Sequence, residues 1–398
     1  MNFLELRNLC ALLIGLAFLS MTACGGGGSG GSSGSGEGTL VTWLTDNATD
    51  TYQAVYVTIA RVQVHMGGEG EEEGSWKTVA EPNRTYNLLE LVNGVREQLG
   101  QTSLDSGSYT QMRLIIGETA DSGLNIFSQP HPYANYVVYR ADDRIRELKV
   151  PSGPQTGLKV VAGFEISADE TTELILDFDA MRSVVKAGAS GIYLLKPTIK
   201  VLDMVENAKV LGVVTDLPAE SESEQPLENA FVSAQTVDPN ALDIKDQTII
   251  SSGTLTVENG EYALFLEPGV YNLVARKADY GPVCKVANLS TQSVSTVNFS
   301  LPGLDEEPGT VSGLVTINDA ATDQFATLDF RQILACEGAL DDAVITILSI
   351  NIADGGTYEL DLPAGEYQLV ASTYDKDTVT IDLTVGSGEV TDWDITFD

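Results

Sequence analysis

From Thr39 onward, apolar and polar residues alternate with a period of two in short runs separated by Gly, Asp, Asn and Pro. That pattern predicts strands joined by turns. Leu40–Leu44 predicts one strand and Ala54–His65 a longer one, with Val55, Val57 and Ile59 on one face. Its apolar parity then switches to Val62 and Val64, which predicts a bulge near Ala60–Arg61. An acidic tip (Gly67–Gly74) leads to a return strand at Trp76–Val79. One segment carries a different period. Leu88, Leu91, Val92, Val95 and Leu99 recur at helical spacing, with Asn87 able to cap the start and Gly100 to end it. Strand character returns at Tyr109–Ile116, Tyr136–Arg140, Leu158–Ile166, Glu173–Phe178 and Ile192–Leu202, where Pro197 implies an edge or a bulge. The expectation is an all-β chain of several β-sandwich domains, with one short helix in the first.

The N-terminus has no such pattern. Leu9–Leu19 is an unbroken apolar run of eleven, too short for a bilayer-spanning helix of roughly 20 residues but suited to a signal peptide. Arg7 precedes it, and Met21-Thr22-Ala23-Cys24 follows. This end resembles the lipobox of bacterial lipoproteins, with Met21 in place of the usual Leu. The resemblance implies a signal peptide over 1–23, lipidation of Cys24 and attachment to a membrane through that lipid. Gly25 after the cysteine favours the outer membrane by the same resemblance. An ordinary signal peptide cut after Ala23 is the alternative. Residues 24–36 end in a Gly/Ser tether that packs nothing and spans roughly 19 Å as a flexible coil.

Two later segments are copies. Tyr262–Ala275 reads YALFLEPGVYNLVA and Tyr358–Ala371 reads YELDLPAGEYQLVA, identical at eight of fourteen positions without a gap. Strand, Pro/Gly turn and strand predict a hairpin in each copy. Similar openings precede them, at Val210–Val214 and Val311–Val315. The blocks are therefore placed at 37–203, 209–302 and 309–398, with Leu301–Pro308 as linker.

Charge narrows the chemistry. The chain carries 22 Lys+Arg against 57 Asp+Glu, a net charge of −35. Nucleic acid is excluded as a partner, because its binding rests on neutralising phosphates. The first block has a net charge of −9 and the remainder −26, so a linear chain of domains would carry most of its charge far from the anchor. Two histidines (His65 and His131) and four cysteines are too few to suggest haem, zinc or histidine-based catalysis. No phosphate-binding loop, nucleophile elbow or dinucleotide fingerprint is present.

The remaining candidates are specific. No cofactor is expected unless it is calcium, for which Asp305, Glu306, Glu307, Asp341 and Asp342 are candidate oxygen donors. Asp177 and Asp179 share a side if their segment is extended, which makes them the acids of an alternative hydrolase reading. Cys284 and Cys336 are either a disulfide, worth roughly 4 kcal/mol on the entropic account, or two buried thiols. The aromatics Trp43, Tyr52, Tyr56, Trp76, Tyr133, Tyr136 and Tyr139 all fall in the first block. Core packing accounts for most, and Tyr133, Tyr136 and Tyr139, beside the Pro130-His131-Pro132 loop, are the candidate ligand surface.

Gly38–Asp203 resembles a bacterial family known as domain of unknown function 4382. The likeness is carried by the opening strand through Asp46, Leu88–Leu91, Gly107-Ser108-Tyr109 with Met112-Arg113-Leu114, Leu176-Asp177-Phe178-Asp179 with Ser183-Val184, and Leu195-Lys196-Pro197. That family implies a secreted or lipid-anchored setting and no known activity. Lys209–Pro302 and Gly309–Asp398 resemble the carboxypeptidase regulatory-like domain, through Gly-x-Tyr-x-Leu and Pro-Gly-x-Tyr, with Pro363-Ala364-Gly365 departing from the pattern in the second copy. The likeness implies transthyretin-like β-sandwiches that bind or brace and do not catalyse. Together these readings describe a non-catalytic cell-envelope protein, lipid-anchored and surface-displayed, for binding, adhesion or structure. A polysaccharide or another envelope protein is the expected partner. The alternative is a calcium- or glycan-binding accessory protein for nutrient capture.

Overall fold

A computed structural model describes residues 36–49, 51–67, 76–151, 158–160, 163–187, 192–203, 207–218, 223–321 and 324–398. The signal segment, Cys24, the tether through Ser35 and the acidic tip at 68–74 lie outside the described residues. Among the described residues almost everything regular is strand. No described helix is long and apolar enough to cross a membrane, which says nothing of β-barrels.

The first block is two sheets around one core. The strands Glu37–Asn47 and Thr171–Asp179 run parallel, from Thr39 opposite Thr171 to Asn47 opposite Asp179. Glu97–Asp105 and Ile199–Asp203 flank them. The long strand Tyr52–Met66 centres the second sheet, pairing with Gly107–Ile116, Tyr136–Tyr139, Trp76–Ala80 and Arg84–Asn87. Its register slips between Ile59 and Arg61. This bulge lets Val55, Val57 and Ile59 share one core with Val62 and Val64, against Leu40, Leu44, Leu176 and Phe178.

The helix expected over 88–99 is absent. Leu88–Glu90 makes a single 3-10 turn, and Asn93 and Gly94 then take positive φ values of 59° and 76°, which no helix continues through. Leu99 is buried because it lies on the strand Glu97–Asp105, and Val95 is exposed. The helical spacing was a coincidence of one turn and one strand. The short α-helix is Ala180–Ser183, where the Asp179 carboxylate accepts from the N–H of Arg182 at 2.9 Å.

The two copied segments are not hairpins either. Glu261–Leu266 pairs with Ala208–Leu217, whereas Gly269–Arg276 pairs with Phe231–Val237 and Val283–Leu289 in the opposite sheet. Thr357–Leu362 and Gly365–Thr373 part in the same way, toward Gly309–Ile317 and Phe325–Leu334. Each turn is an arch between sheets, so the alternating Leu and Tyr residues of both strands meet in one interior. Tyrosine hydroxyls close the arch. Tyr271 donates to Glu267 O at 3.1 Å and Tyr367 to Pro363 O at 3.0 Å. Tyr262 donates to Val297 O at 2.7 Å and Tyr358 to Trp393 O at 2.6 Å. A Cβ on Gly212 or Gly313 would lie 1.8 or 1.9 Å from those two carbonyl oxygens, so only glycine fits there.

The three blocks do not run in a line. The chain from Ser35 to Asp398 is one compact unit, and the third block folds back onto the first. Lys186 pairs in parallel register with Ile352, joining the strand Val184–Ala187 to Ala343–Ala353 and merging two sheets into one. Asn351 donates to Arg182 O at 2.9 Å. The acidic sandwiches are therefore gathered against the first block, rather than trailing from it.

The second and third blocks are tied by buried polar groups. The Gln235 side chain brackets Thr346, donating to its carbonyl at 2.8 Å and accepting from its N–H at 2.9 Å. Cys284 and Cys336 are disulfide-bonded, with Cα atoms 4.5 Å apart on paired strands. Arg331 has no exposed surface and donates to the carbonyls of Ile244 (2.7 Å), Lys245 (2.9 Å) and Thr248 (3.3 Å), and to Asp329 at 3.1 Å. Removing it strands the buried Thr248 carbonyl and takes the guanidinium partner from the half-buried carbonyls of Ile244 and Lys245 and from the Asp329 carboxylate. Arg331→Met should therefore cost about 3–5 kcal/mol in urea unfolding of the oxidised protein. A loss below about 1 kcal/mol would show that the clamp is energetically idle.

Candidate functional site

One concavity in the first block is built by a 19-residue segment, Gly117–Asn135, between two strands. Segments of this length without regular structure are uncommon in compact domains and are usually either functional or disordered. This one is pinned at both ends to Thr58. The Gly117 N–H donates to Thr58 O at 2.8 Å, the Asn135 Oδ1 accepts from the Thr58 N–H at 3.0 Å, and the Thr58 hydroxyl donates to Ala134 O at 2.7 Å. Its middle is held as firmly. Asp121 and Thr85 exchange two hydrogen bonds of 3.0 and 3.1 Å, the Ile126 N–H donates to the Tyr56 hydroxyl at 2.8 Å, and Asn125 accepts from the N–H groups of Phe127 and Gln129.

Between this segment and the strand Arg84–Asn87 lies a cleft of about 360 Å³, walled by Glu90, Glu97, Asp121 and His131 over Tyr56 and Tyr86. Leu124 and Ile126 are exposed at its rim. Burial works to raise the Asp121 carboxyl, but the N–H groups of Thr85 and Gly123 outweigh it and hold the group below its usual range. Burial holds His131 below its ordinary value against the pull of Asp121, so the imidazole is neutral at pH 7. His131 Nδ1 lies 2.9 Å from the Tyr136 hydroxyl, and its Nε2 lies 3.8 Å from Asp121 Oδ1.

A second polar site lies where the first block meets the second. The parallel register sets Thr45 beside Asp177 and Asn47 beside Asp179. Asn47 donates to Asp179 Oδ2 at 3.1 Å, and Asp46 accepts from the Ala180 N–H at 3.0 Å. The crevice at Asp177, lined by Thr45, Asn93, Ser252 and Thr254, has about 20 Å³ of room, space for a single water. It admits no sugar, and Asp179 is occupied as a helix cap. The two acids therefore do not form a hydrolytic pair facing a substrate; they serve the joint.

Burial pushes the Asp177 carboxyl up to about 7, aided by the Asp179 charge and opposed by Lys200. A carboxyl raised in the folded state stabilises the fold only while it keeps its proton. The contribution of Asp177 is complete below its unfolded value of 3.8 and is lost as the pH rises through 7. Unfolding free energy should fall between about pH 4 and 7, and Asp177→Asn should remove up to about 1.4 kcal/mol per pH unit of that slope. Equal slopes in wild type and variant, measured by urea titration at several pH values, would contradict this.

The other residues singled out in the sequence are placed as follows. Of the three tyrosines, only Tyr133 is exposed. Tyr136 is wholly buried and stacks on Tyr56 at 4.5 Å, and Tyr139 packs edge-on against Tyr52 and donates to the Tyr193 hydroxyl at 2.7 Å. They form no common ligand surface, because the strand Tyr136–Tyr139 lies inside the sheet. Asp305, Glu306, Glu307, Asp341 and Asp342 are all exposed, and no described group of three or more acidic, His or Cys side chains is arranged to hold a metal ion. His65 is buried beside Trp76. Sequence reasoning missed Asp121, Tyr86, Glu90 and Glu97. The available signal was the long aperiodic stretch of Asp, Gly, Asn and Pro after Ile116.

Residues 37–197 match a family described as a domain of unknown function, DUF4382. No curated protein matches the sequence. Among solved structures, the chain is similar to the Bacillus anthracis TIE protein (12% identity over 91% of this chain and 51% of that one, TM-score 0.19). It is also similar to GBS52, the minor pilin of Streptococcus agalactiae (13% identity, 48% of this chain and 95% of that one, TM-score 0.19), and to a streptococcal ancillary pilin (12% identity, 91% and 99%, TM-score 0.20). The chain spans about half the length of the TIE protein. Superpositions this loose carry no inference about function.

Proposed function

We propose that this is a non-catalytic, lipid-anchored cell-envelope protein that holds a ligand in the first-block cleft while the two sandwiches brace it. The observation that carries the reading is the Gly117–Asn135 segment, whose ends and middle are all hydrogen-bonded to the scaffold yet which keeps Leu124 and Ile126 exposed at the rim of an open cleft. A rigid shaped loop with apolar residues facing water suits recognition better than support. The Cys24 anchor and Gly/Ser tether are part of the proposal, and they would let such a module reach its ligand from a membrane.

Two measurements test this. Cys24→Ala should move the protein from the membrane fraction to the soluble fraction, and protease added to intact cells should release the folded body. Protection until the cells are permeabilised would put the body inside the envelope and end the surface reading. Leu124 stands exposed at the rim, so Leu124→Arg should leave stability unchanged while abolishing retention on beads coated with the cell-envelope extract that holds the wild type. Retention of wild type and variant alike would remove the cleft from the account.

A further inference from the structure

We propose that the cleft is selective for a cation on an aliphatic stem, an alkylammonium or guanidinium group, and not for a neutral sugar or an anion. This rests on the reading of the cleft as the ligand site. Its walls carry three carboxylates, Glu90, Glu97 and Asp121, against one guanidinium, Arg84. Burial lowers the His131 imidazole from its ordinary value and so favours its uncharged form.

The carboxylates are prepared rather than incidental. Asp121 receives the N–H groups of Thr85 and Gly123, which fix its orientation and favour its ionised form, and a carboxylate retains further lone pairs for a ligand. Glu90 is exposed, and one of its oxygens is oriented by the Asn87 amide at 3.1 Å. Arg84 already shows what this wall accepts, since its guanidinium pairs with Glu97 and lies 5.1 Å from the Tyr86 ring centroid.

The rim completes the match. Leu124 and Ile126 offer apolar surface at the mouth, where the methylene stem of a lysine, an arginine or a polyamine would lie while its charge enters. The rings that line the cleft, Tyr56 and Tyr86, are buried and offer no face for a sugar to stack upon there. The net charge of −35 draws cations from a distance and repels anions.

The test is calorimetry on the full-length protein in detergent, titrated with tetralysine, spermidine, fully acetylated tetralysine and maltohexaose. Tetralysine or spermidine should bind, and the acetylated peptide and the sugar should not. Preference for tetralysine identifies a basic peptide as the source of the cation, and preference for spermidine a free polyamine. Glu90→Gln with Glu97→Gln should weaken binding by about tenfold or more, as expected for lost charged hydrogen bonds. Glu258→Gln, an exposed acid of the second block, should have no effect. No cation binding, or equal weakening by Glu258→Gln, would overturn the proposal. If cations fail while Leu124→Arg still abolishes bead retention, the ligand class is wrong and the cleft survives. If both fail, both readings fall.

Discussion

The parallel pairing of Glu37–Asn47 with Thr171–Asp179 is the constraint on which the rest of the molecule depends. A parallel pair cannot be closed by a tight turn, so everything between these strands must form the crossover. Apart from Glu97–Asp105, which returns to the first sheet, the described part of that crossover builds the second sheet of the first block, with the Gly117–Asn135 segment on it. The same pairing brings together residues far apart in sequence, Asp46 and Asn47 with Asp177 and Asp179. The end of this pair is also where the second block docks. The Ala48 N–H donates to Gly253 O at 3.0 Å, and the Asn93-Gly94 turn reaches Thr254 and Ala263. The joint carries buried acid, and burial raises the affinity of Asp46, Asp177 and Asp179 for protons.

The two sandwiches solve a different problem. Each has two sheets joined by an arch, locked by a tyrosine hydroxyl and by a glycine that admits the opposing carbonyl. Buried polar groups then fix the blocks to one another: the Gln235 amide on Thr346, Arg331 on three carbonyls, and a disulfide on paired strands. The first block thus has a stiff support, and its cleft residues are held by backbone hydrogen bonds on a rigid sheet. Such a site can recognise a ligand without first ordering itself, which lowers the entropic cost of binding.

What was legible in the sequence were the features written in local periodicity. The strands, the bulge at Ala60 and the sequence repeat of the sandwiches all follow from alternation over a few residues. The helix over 88–99 was misread because Leu88, Leu91 and Leu99 reach the same core from a turn and a strand, and nothing local separates those origins from a helical face. The hairpins were misread because a Pro/Gly turn has the same sequence whether the next strand pairs with the last or crosses to the opposite sheet. Tyr136 follows close on the Pro130-His131-Pro132 loop, which makes it a ligand candidate in the sequence, yet its partner is Tyr56, eighty positions back along the chain. The fold-back of the third block joins a short strand, Val184–Ala187, to a long one, with Asn351 donating to Arg182 O and Val185, Leu194 and Ala353 packed together beside it, contacts that no local periodicity announces. The cleft acids lack a motif because they come from three different elements, Glu90 from a turn, Glu97 from a strand and Asp121 from the Gly117–Asn135 segment.

That fold-back turns three blocks into one body. Lys186 and Ile352 are register partners in parallel strands, so cysteines placed there would lie within disulfide reach. The most direct test is the full-length Lys186→Cys/Ile352→Cys variant, oxidised and digested, with the linked peptides sought by mass spectrometry. Near-complete linkage of 186 to 352, alongside the native 284–336 bridge, is the expected result. Two free thiols, with only the native bridge formed, would mean that the third block does not rest on the first.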